Sequence, residues 1–295
     1  MSLSGLLFIL ASAAGFGSMA LFAHIAYADG VSPATLVFLR FLIGAAIIGA
    51  WLAVRGIALP RGRALYSHLL LGGIYSFGAW AFFAALQYAS SGLVALMLYT
   101  YPLFVTLFAA WLGIDRFGRR EGIAVLLTSA GLLLALGSSA GSGQWAGIAL
   151  GIASGLAYAI YIIIGSRLGQ QTPPLAAACT VLLTGAACHG VIGGLTGFSL
   201  PHSSSGWLAL LAIGSFGAAL AIAAFFAALK RLGPTRAALL STIEPPITIV
   251  LGFIFLGEHL GLPQLVGGAA ILAGAVLLAV GGRAAPQTDP QPAVG

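Results

Sequence analysis

Charge is what this sequence has least of. Only 6% of its 295 residues are Asp, Glu, Lys or Arg, against 60% that are hydrophobic, and mean hydropathy is +1.07. A water-soluble domain carries about 25% charged residues. A chain this poor in charge cannot cover its surface with polar groups, so it is expected to be an all-α integral membrane protein. Cysteine is scarce too: Cys179 and Cys188 are the only two. On one helix they would stand ~13 Å apart, beyond the ~7 Å that a disulfide tolerates between Cα atoms, so both read as buried thiols. His24, His68 and His189 lack metal-ligand spacing to cysteines or carboxylates and read as polar helix neighbours. There is no G-x-x-x-x-G-K-[ST] phosphate loop and no G-x-S-x-G. Neither cofactor nor metal is expected, an intramembrane enzyme is disfavoured, and any transport must be secondary.

What is present is long apolar runs. A helical span needs roughly 20 such residues, and the chain offers ten candidates: 3–27, 33–54, 65–89, 91–113, 121–137, 144–168, 174–198, 206–229, 234–256 and 263–281. They are too long, and alternate too little, for barrel strands. The first run has no basic residue before it and exceeds the ~7–15 residues of a signal core. Despite Ala26-Tyr27-Ala28, it reads as a retained helix.

The net charge of +6 would suit a nucleic-acid partner, but its distribution points elsewhere. With the loops assigned alternately to two sides, one side receives Arg55, Arg61, Arg63, Arg116, Arg119, Arg120, Arg167, Lys230, Arg231, Arg236 and Arg283, and the other none. Such asymmetry places the basic side, and with it both termini, in the cytoplasm. The basic loops can also meet anionic lipid.

The chain repeats itself. Phe82-Phe83-Ala84-Ala85-Leu86 returns as Phe225-Phe226-Ala227-Ala228-Leu229. The same offset, 143 residues, carries Ala95-Leu96 onto Ala238-Leu239, Pro102 onto Pro245, Asp115 onto Glu258, Gly118 onto Gly261 and Gly131 onto Gly274. The expected units are residues 1–137 and 144–281, with 282–295 a disordered cytoplasmic tail. Five spans per unit is an odd number, so the second unit enters from the opposite side. Inverted repeats of this kind mark secondary transporters, with the substrate near the midplane at the repeat interface.

These residues carry a resemblance. The two five-helix halves, Arg40-Phe41, the "FFAAL" runs and "EPPITIVLGFIFLGEHLGLPQLVGGAAILAGAVLL" resemble the EamA family of the drug/metabolite transporter superfamily, most of all bacterial aromatic amino-acid exporters. The resemblance implies ten helices in two inverted bundles around a central cavity, in the inner membrane. It implies export of amino acids or other small metabolites. Cationic drugs exchanged for protons, or a channel-like facilitator, are the alternatives. The first half has Tyr101-Pro102 where the second has Glu244-Pro245, so the acidic residue is not duplicated.

Candidate site residues follow from what is unusual at span depth. Pro245 cannot donate to the Ser241 carbonyl, nor Pro246 to Thr242, nor Pro102 to Leu98. Freed carbonyls in a membrane must line protein or water, and matched breaks in two halves point to a binding site or hinge. The other reading is a kink healed by hydroxyls such as those of Thr100 and Thr242. Glu244 lies ~15 Å along its span and is an intramembrane acid that should face the interior. It can bind a substrate ammonium, exchange a proton, or pair with Arg40. Tyr75, Trp80, Tyr99, Tyr101, Tyr158 and Tyr161 also lie within spans, away from the interfacial belts. They can stack an aromatic substrate or hold an ammonium, or serve as ordinary core. Gly147, Gly151 and Gly155 mark one close-packing face, within a monomer or in a dimer. Expected partners are a small-molecule substrate, the lipid bilayer and, if coupled, protons; no nucleic acid is expected.

Overall fold

The computed structural model of the chain describes residues 3–113, 118–139, 144–167, 172–232, 237 and 240–281. Asp115, Arg116, Arg236, Ala238, Leu239, Arg283 and the tail 282–295 lie outside the described residues.

The described residues are helical, without a strand. In chain order the helices are Leu3–Gly17 (α1), Met19–Ala28 (α2), Pro33–Val54 (α3), Arg63–Ala85 (α4), Ser91–Leu98 (α5), Tyr101–Trp111 (α6) and Arg119–Ser139 (α7). Trp145–Arg167 (α8), Pro174–Thr196 (α9), Ser204–Gly214 (α10), Ala221–Leu232 (α11), Glu244–Leu256 (α12) and Leu262–Gly281 (α13) follow, with a π-helical turn, Ser215–Leu220, joining α10 to α11. Among the described residues, eight helical segments are long and apolar enough to cross a membrane, and Glu244–Leu256 is a shorter apolar one. Starts and stops follow local chemistry. Ser32 caps α3 through Thr35 N–H, with Pro33 in the first turn, and Gly257, at φ +65°, ends α12.

Three apolar runs that read as continuous are interrupted. Run 91–113 divides between α5 and α6 at Tyr99-Thr100, where Pro102 denies the ladder a donor. Run 3–27 breaks at Ser18, whose hydroxyl donates to the Gly15 carbonyl at 3.0 Å. Run 206–229 takes the π-turn, where the Ser215 hydroxyl donates to Leu211 O at 2.6 Å.

Helices pair as α3 with α9, α7 with α13, α4 with α8, and α1 with α11, while α5 meets both α8 and α12. Glycine sets the spacing where backbones nearly touch. A Cβ on Gly131 would lie 2.5 Å from the Gly267 carbonyl oxygen, and one on Gly267 would lie 2.5 Å from that of Gly131. Gly267→Leu should therefore abolish monodisperse protein in detergent, because backbone cannot yield as a side chain does; a normal size-exclusion profile would contradict this. The stripe Gly147, Gly151 and Gly155 packs within the chain, against Ala89, Met97 and the Leu98 carbonyl.

Two ends of the bundle differ. At one, Arg231 lies over the Phe8 ring at 4.6 Å and Arg120 Nε donates to Leu277 O at 2.9 Å. At the other, Ser203 N–H donates to Asp29 Oδ2 at 2.9 Å. That bond, first among several from residues 202 and 203, holds the Asp29 carboxyl below its usual range. Outward faces carry Val54, Trp111, Leu133 and Leu195, a surface suited to lipid.

Candidate functional site

The two proline breaks are built alike. Tyr101 opens α6 with Pro102 second, and Glu244 opens α12 with Pro245 second. Residues at a helix start face unpaired N–H groups and the positive end of the dipole, which favours a carboxylate. Glu244 therefore sits where an intramembrane acid is least costly. Proline placement is legible in sequence; its effect on Glu244 needed the helix start to be located.

The carbonyl freed by Pro245 has a partner from the other half of the chain. Tyr99 hydroxyl donates to Ser241 O at 2.7 Å and lies 3.1 Å from Glu244 Oε2. On the α5–α6 side, the Leu98 carbonyl faces Gly155, where a Cβ would stand 2.9 Å away. Thr100 hydroxyl serves Met97 O instead, at 2.6 Å. The break before α12 also touches the break after α1: Thr248 hydroxyl donates to Gly17 O at 3.0 Å. Three interrupted helices thus meet at one place, and only the proline breaks announced themselves in the sequence. Pro102 is half-buried, Pro245 buried and Pro246 exposed; Ser241 and Thr242 are half-buried.

From Tyr99 a row of rings runs through the bundle. Tyr99 and Tyr101 are 5.8 Å apart, Tyr101 and Tyr158 4.9 Å, Tyr158 and Tyr161 6.0 Å in parallel stacking, and Tyr161 and Tyr75 5.4 Å. Five of the six singled-out aromatics therefore form one wall, drawn from α4, α5–α6 and α8. Trp80 stands apart, against Phe77 at 6.0 Å. Tyr101, Tyr158 and Glu244 are enclosed by protein on every side, yet each keeps accessible surface. Side chains that are both enclosed and accessible line an internal space. Two wider grooves on the outer surface, along α4–α9 and α4–α8, are almost wholly apolar and hold none of these residues.

At the far end of the row is Arg40, 2% exposed. The expected ion pair with Glu244 is absent in this structure: the one ion pair within 4.0 Å among the described residues is between His24 and Glu258. Arg40 instead donates from Nη2 to the Tyr75 hydroxyl at 3.4 Å and lies over the Phe41 and Phe83 rings at 5.1 and 5.4 Å. Its Nε has no hydrogen-bond partner. Tyr75 stands where the carboxylate was expected. Cation–π contacts give about 0.5–2 kcal/mol each, less than the several kcal/mol cost of withdrawing an ion from water.

Sequence reasoning also missed Glu258. Its carboxylate accepts the Ser91 N–H at 3.0 and 2.9 Å and the Ser91 hydroxyl at 3.0 Å, and His24 Nε2 is 3.6 Å away. It caps α5 from the loop after α12. The matched pair Asp115 and Glu258 was a faint signal, carrying no hint of Ser91.

Other expectations resolve simply. Cys179 and Cys188 are free, but Cys188 is exposed rather than buried, because it falls on the outward face of α9. His68 meets Ala64 O at 2.6 Å and His189 meets Ser76 O at 3.5 Å. No metal-ligand cluster exists among the described residues.

A model of the EamA-like transporter family matches residues 3–137 and 145–280. The uncharacterized inner membrane transporter YedA of Escherichia coli K12 is 27% identical over 254 residues, 84% of this chain and 82% of its own. The threonine/homoserine exporter RhtA of the same organism is 34% identical over 198 residues, 66% and 64% of the two chains. A crystal structure superimposes with a TM-score of 0.68 at 22% identity, covering 94% of this chain and 96% of that one, a likeness of fold. An all-helical bundle matched in both halves leaves one assignment: the chain belongs to the EamA-like transporter family.

Proposed function

We propose that the protein is a secondary exporter of amino acids or related small metabolites in the inner membrane, working by alternating access. The observation that carries this reading is the wall from Glu244 through Tyr99, Tyr101, Tyr158 and Tyr161 to Tyr75, lining an enclosed space where interrupted helices meet. Aromatic faces with polar tips suit an ammonium or a ring, and Glu244 supplies the charge that an ammonium needs. A relative that exports threonine and homoserine supports the substrate class.

The architecture in this reading is ten spans in two inverted repeats, residues 1–137 and 144–281, with both termini cytoplasmic. Helix pairing supports it. Exchanging the halves turns the α3–α9 and α7–α13 pairs into themselves and the α1–α11 pair into α4–α8. The eleven-to-none division of basic residues supports the orientation. Rocking of the two bundles would hinge at Pro102, Pro245 and Pro246, with Ser241 and Thr242 at the break and Trp80 at the margin.

Counterflow in proteoliposomes, screened over amino acids, purines and cationic drugs, tests the reading. Saturable exchange of amino acids is expected. Linear, unsaturable flux would indicate a channel, and preference for cationic drugs would move the substrate class. Tyr101→Ala is expected to weaken aromatic amino acids roughly tenfold, as a stacking contact of about 1 kcal/mol plus lost apolar area implies, and aliphatic ones much less. Equal losses for both classes would remove the tyrosines from recognition.

A further inference from the structure

Among the described residues, Arg40 is a buried cation without an anion. Of the described acids, Glu258 is engaged by Ser91 and His24, Asp29 by Ser203, and Glu121 by the Gly118 N–H. Glu244 is more than 4.0 Å away. The surroundings of the guanidinium are two phenyl rings and the Tyr75 hydroxyl, and Nε donates to nothing. Tyr75 belongs to the wall of the enclosed space, so the unused donors stand at its edge. His189, the other titratable group near Phe41, at 6.4 Å between rings, can supply no negative charge and has its own unpartnered Nδ1.

We infer that Arg40 receives the carboxylate of the transported molecule, whose ammonium is held at Glu244, so that the cargo must be a zwitterionic α-amino acid. This rests on the proposed function. The row of tyrosines does not carry Arg40 out of reach of Glu244, because the guanidinium charge still acts on that carboxylate through space. The two poles are thus too far apart to bond and close enough for one small molecule to touch both. An ammonium and a carboxylate carried on one carbon satisfy both poles and leave the side chain against Tyr101 and Tyr158. A guanidinium suits this role, since its planar fork matches a carboxylate with two parallel hydrogen bonds. Occupation by substrate also supplies the missing counter-charge, which makes the loaded site less costly to bury than the empty one.

The test is competition in proteoliposome counterflow with the full-length protein. L-Phenylalanine and L-threonine are compared with their amides, which keep the ammonium, and with 3-phenylpropanoate, which keeps the carboxylate. In the wild type, each amide should compete at least about tenfold more weakly than its amino acid, as loss of a charge-assisted pair implies. Arg40→Gln should bring the amino acid down to its amide and leave the amide unchanged. Arg40→Lys keeps the charge without the fork and should retain a smaller preference. Equal competition by acid and amide in the wild type would overturn the inference. So would an unchanged acid-to-amide ratio in whichever variant folds, or a parallel loss for both ligands. Amino-acid exchange without discrimination against amides sinks this inference alone; no amino-acid exchange at all sinks the proposed function with it.

Discussion

Replacing Glu244 with glutamine is expected to lower amino-acid exchange at least about tenfold while leaving the yield of folded protein near that of the wild type. The substitution preserves volume, and an amide oxygen can still accept the Tyr99 hydroxyl that now lies 3.1 Å from Oε2. The bond from Tyr99 to the Ser241 carbonyl, at 2.7 Å, is untouched, so the break before α12 stays satisfied. What disappears is the negative charge. A hydrogen bond to a charged group is worth about 1.5–3 kcal/mol, and 1.4 kcal/mol is a factor of ten in affinity. The second effect is on pH dependence, since a glutamine cannot exchange a proton. Transport that is unaltered across pH 5–8 in proteoliposomes would show that Glu244 is part of the scaffold only. Tyr99→Phe separates the roles. It removes the hydroxyl that serves both Ser241 and Glu244, and it should cost stability as well as activity, by about 1–3 kcal/mol for the carbonyl left unpaired.

Glu258→Ala is expected to destabilise the protein more than any other single removal of a carboxylate among the described residues. Three hydrogen bonds from Ser91 converge on it, and the serine N–H belongs to the first turn of α5, which has no side-chain cap from Ser90. Loss of charged hydrogen bonds at a site only 17% exposed should cost about 1.5–3 kcal/mol. At roughly 2–4 °C per kcal/mol for a chain of this size class, the unfolding midpoint in detergent should fall by about 5 °C or more. Glu121→Ala is the control, because that carboxylate meets only the nearby Gly118 N–H, and its midpoint should barely move. Equal shifts for the two variants would refute a special role for Glu258. The same contact ties α5 to the loop after α12 and to α2 through His24, so an opening at this end of the bundle has to break it. A transport defect in Glu258→Ala that exceeds the loss of folded protein would place it on the opening movement.

The contrast between these two acids shows what linear sequence can and cannot carry. Apolar length, charge asymmetry, the internal repeat and the proline breaks were all legible, because each depends on neighbours within one helical turn or on composition. Pro102 and Pro245 end a hydrogen-bond ladder at a fixed distance back along the chain, wherever the helix lies. Glu244 stood out because an acid inside an apolar run is costly in any fold. Glu258 did not, since a glutamate after a span looks solvated until the fold sets Ser91 against it from 167 residues away. Arg40 was recognised as important and assigned the wrong partner, because opposite charges at matching depth do not reveal which way each helix is turned. The break at Gly17-Ser18 left no mark, as glycine and serine are commonplace in a chain with 42 glycines. By itself the sequence determined that this chain is a bundle of membrane helices with interrupted segments in both halves. Only the tertiary structure decided that the interruptions meet, that five tyrosines join into one wall, and that a carboxylate and an unpaired guanidinium stand at its ends. Helix rotation and packing choose side-chain partners, and neither is written in residue spacing alone.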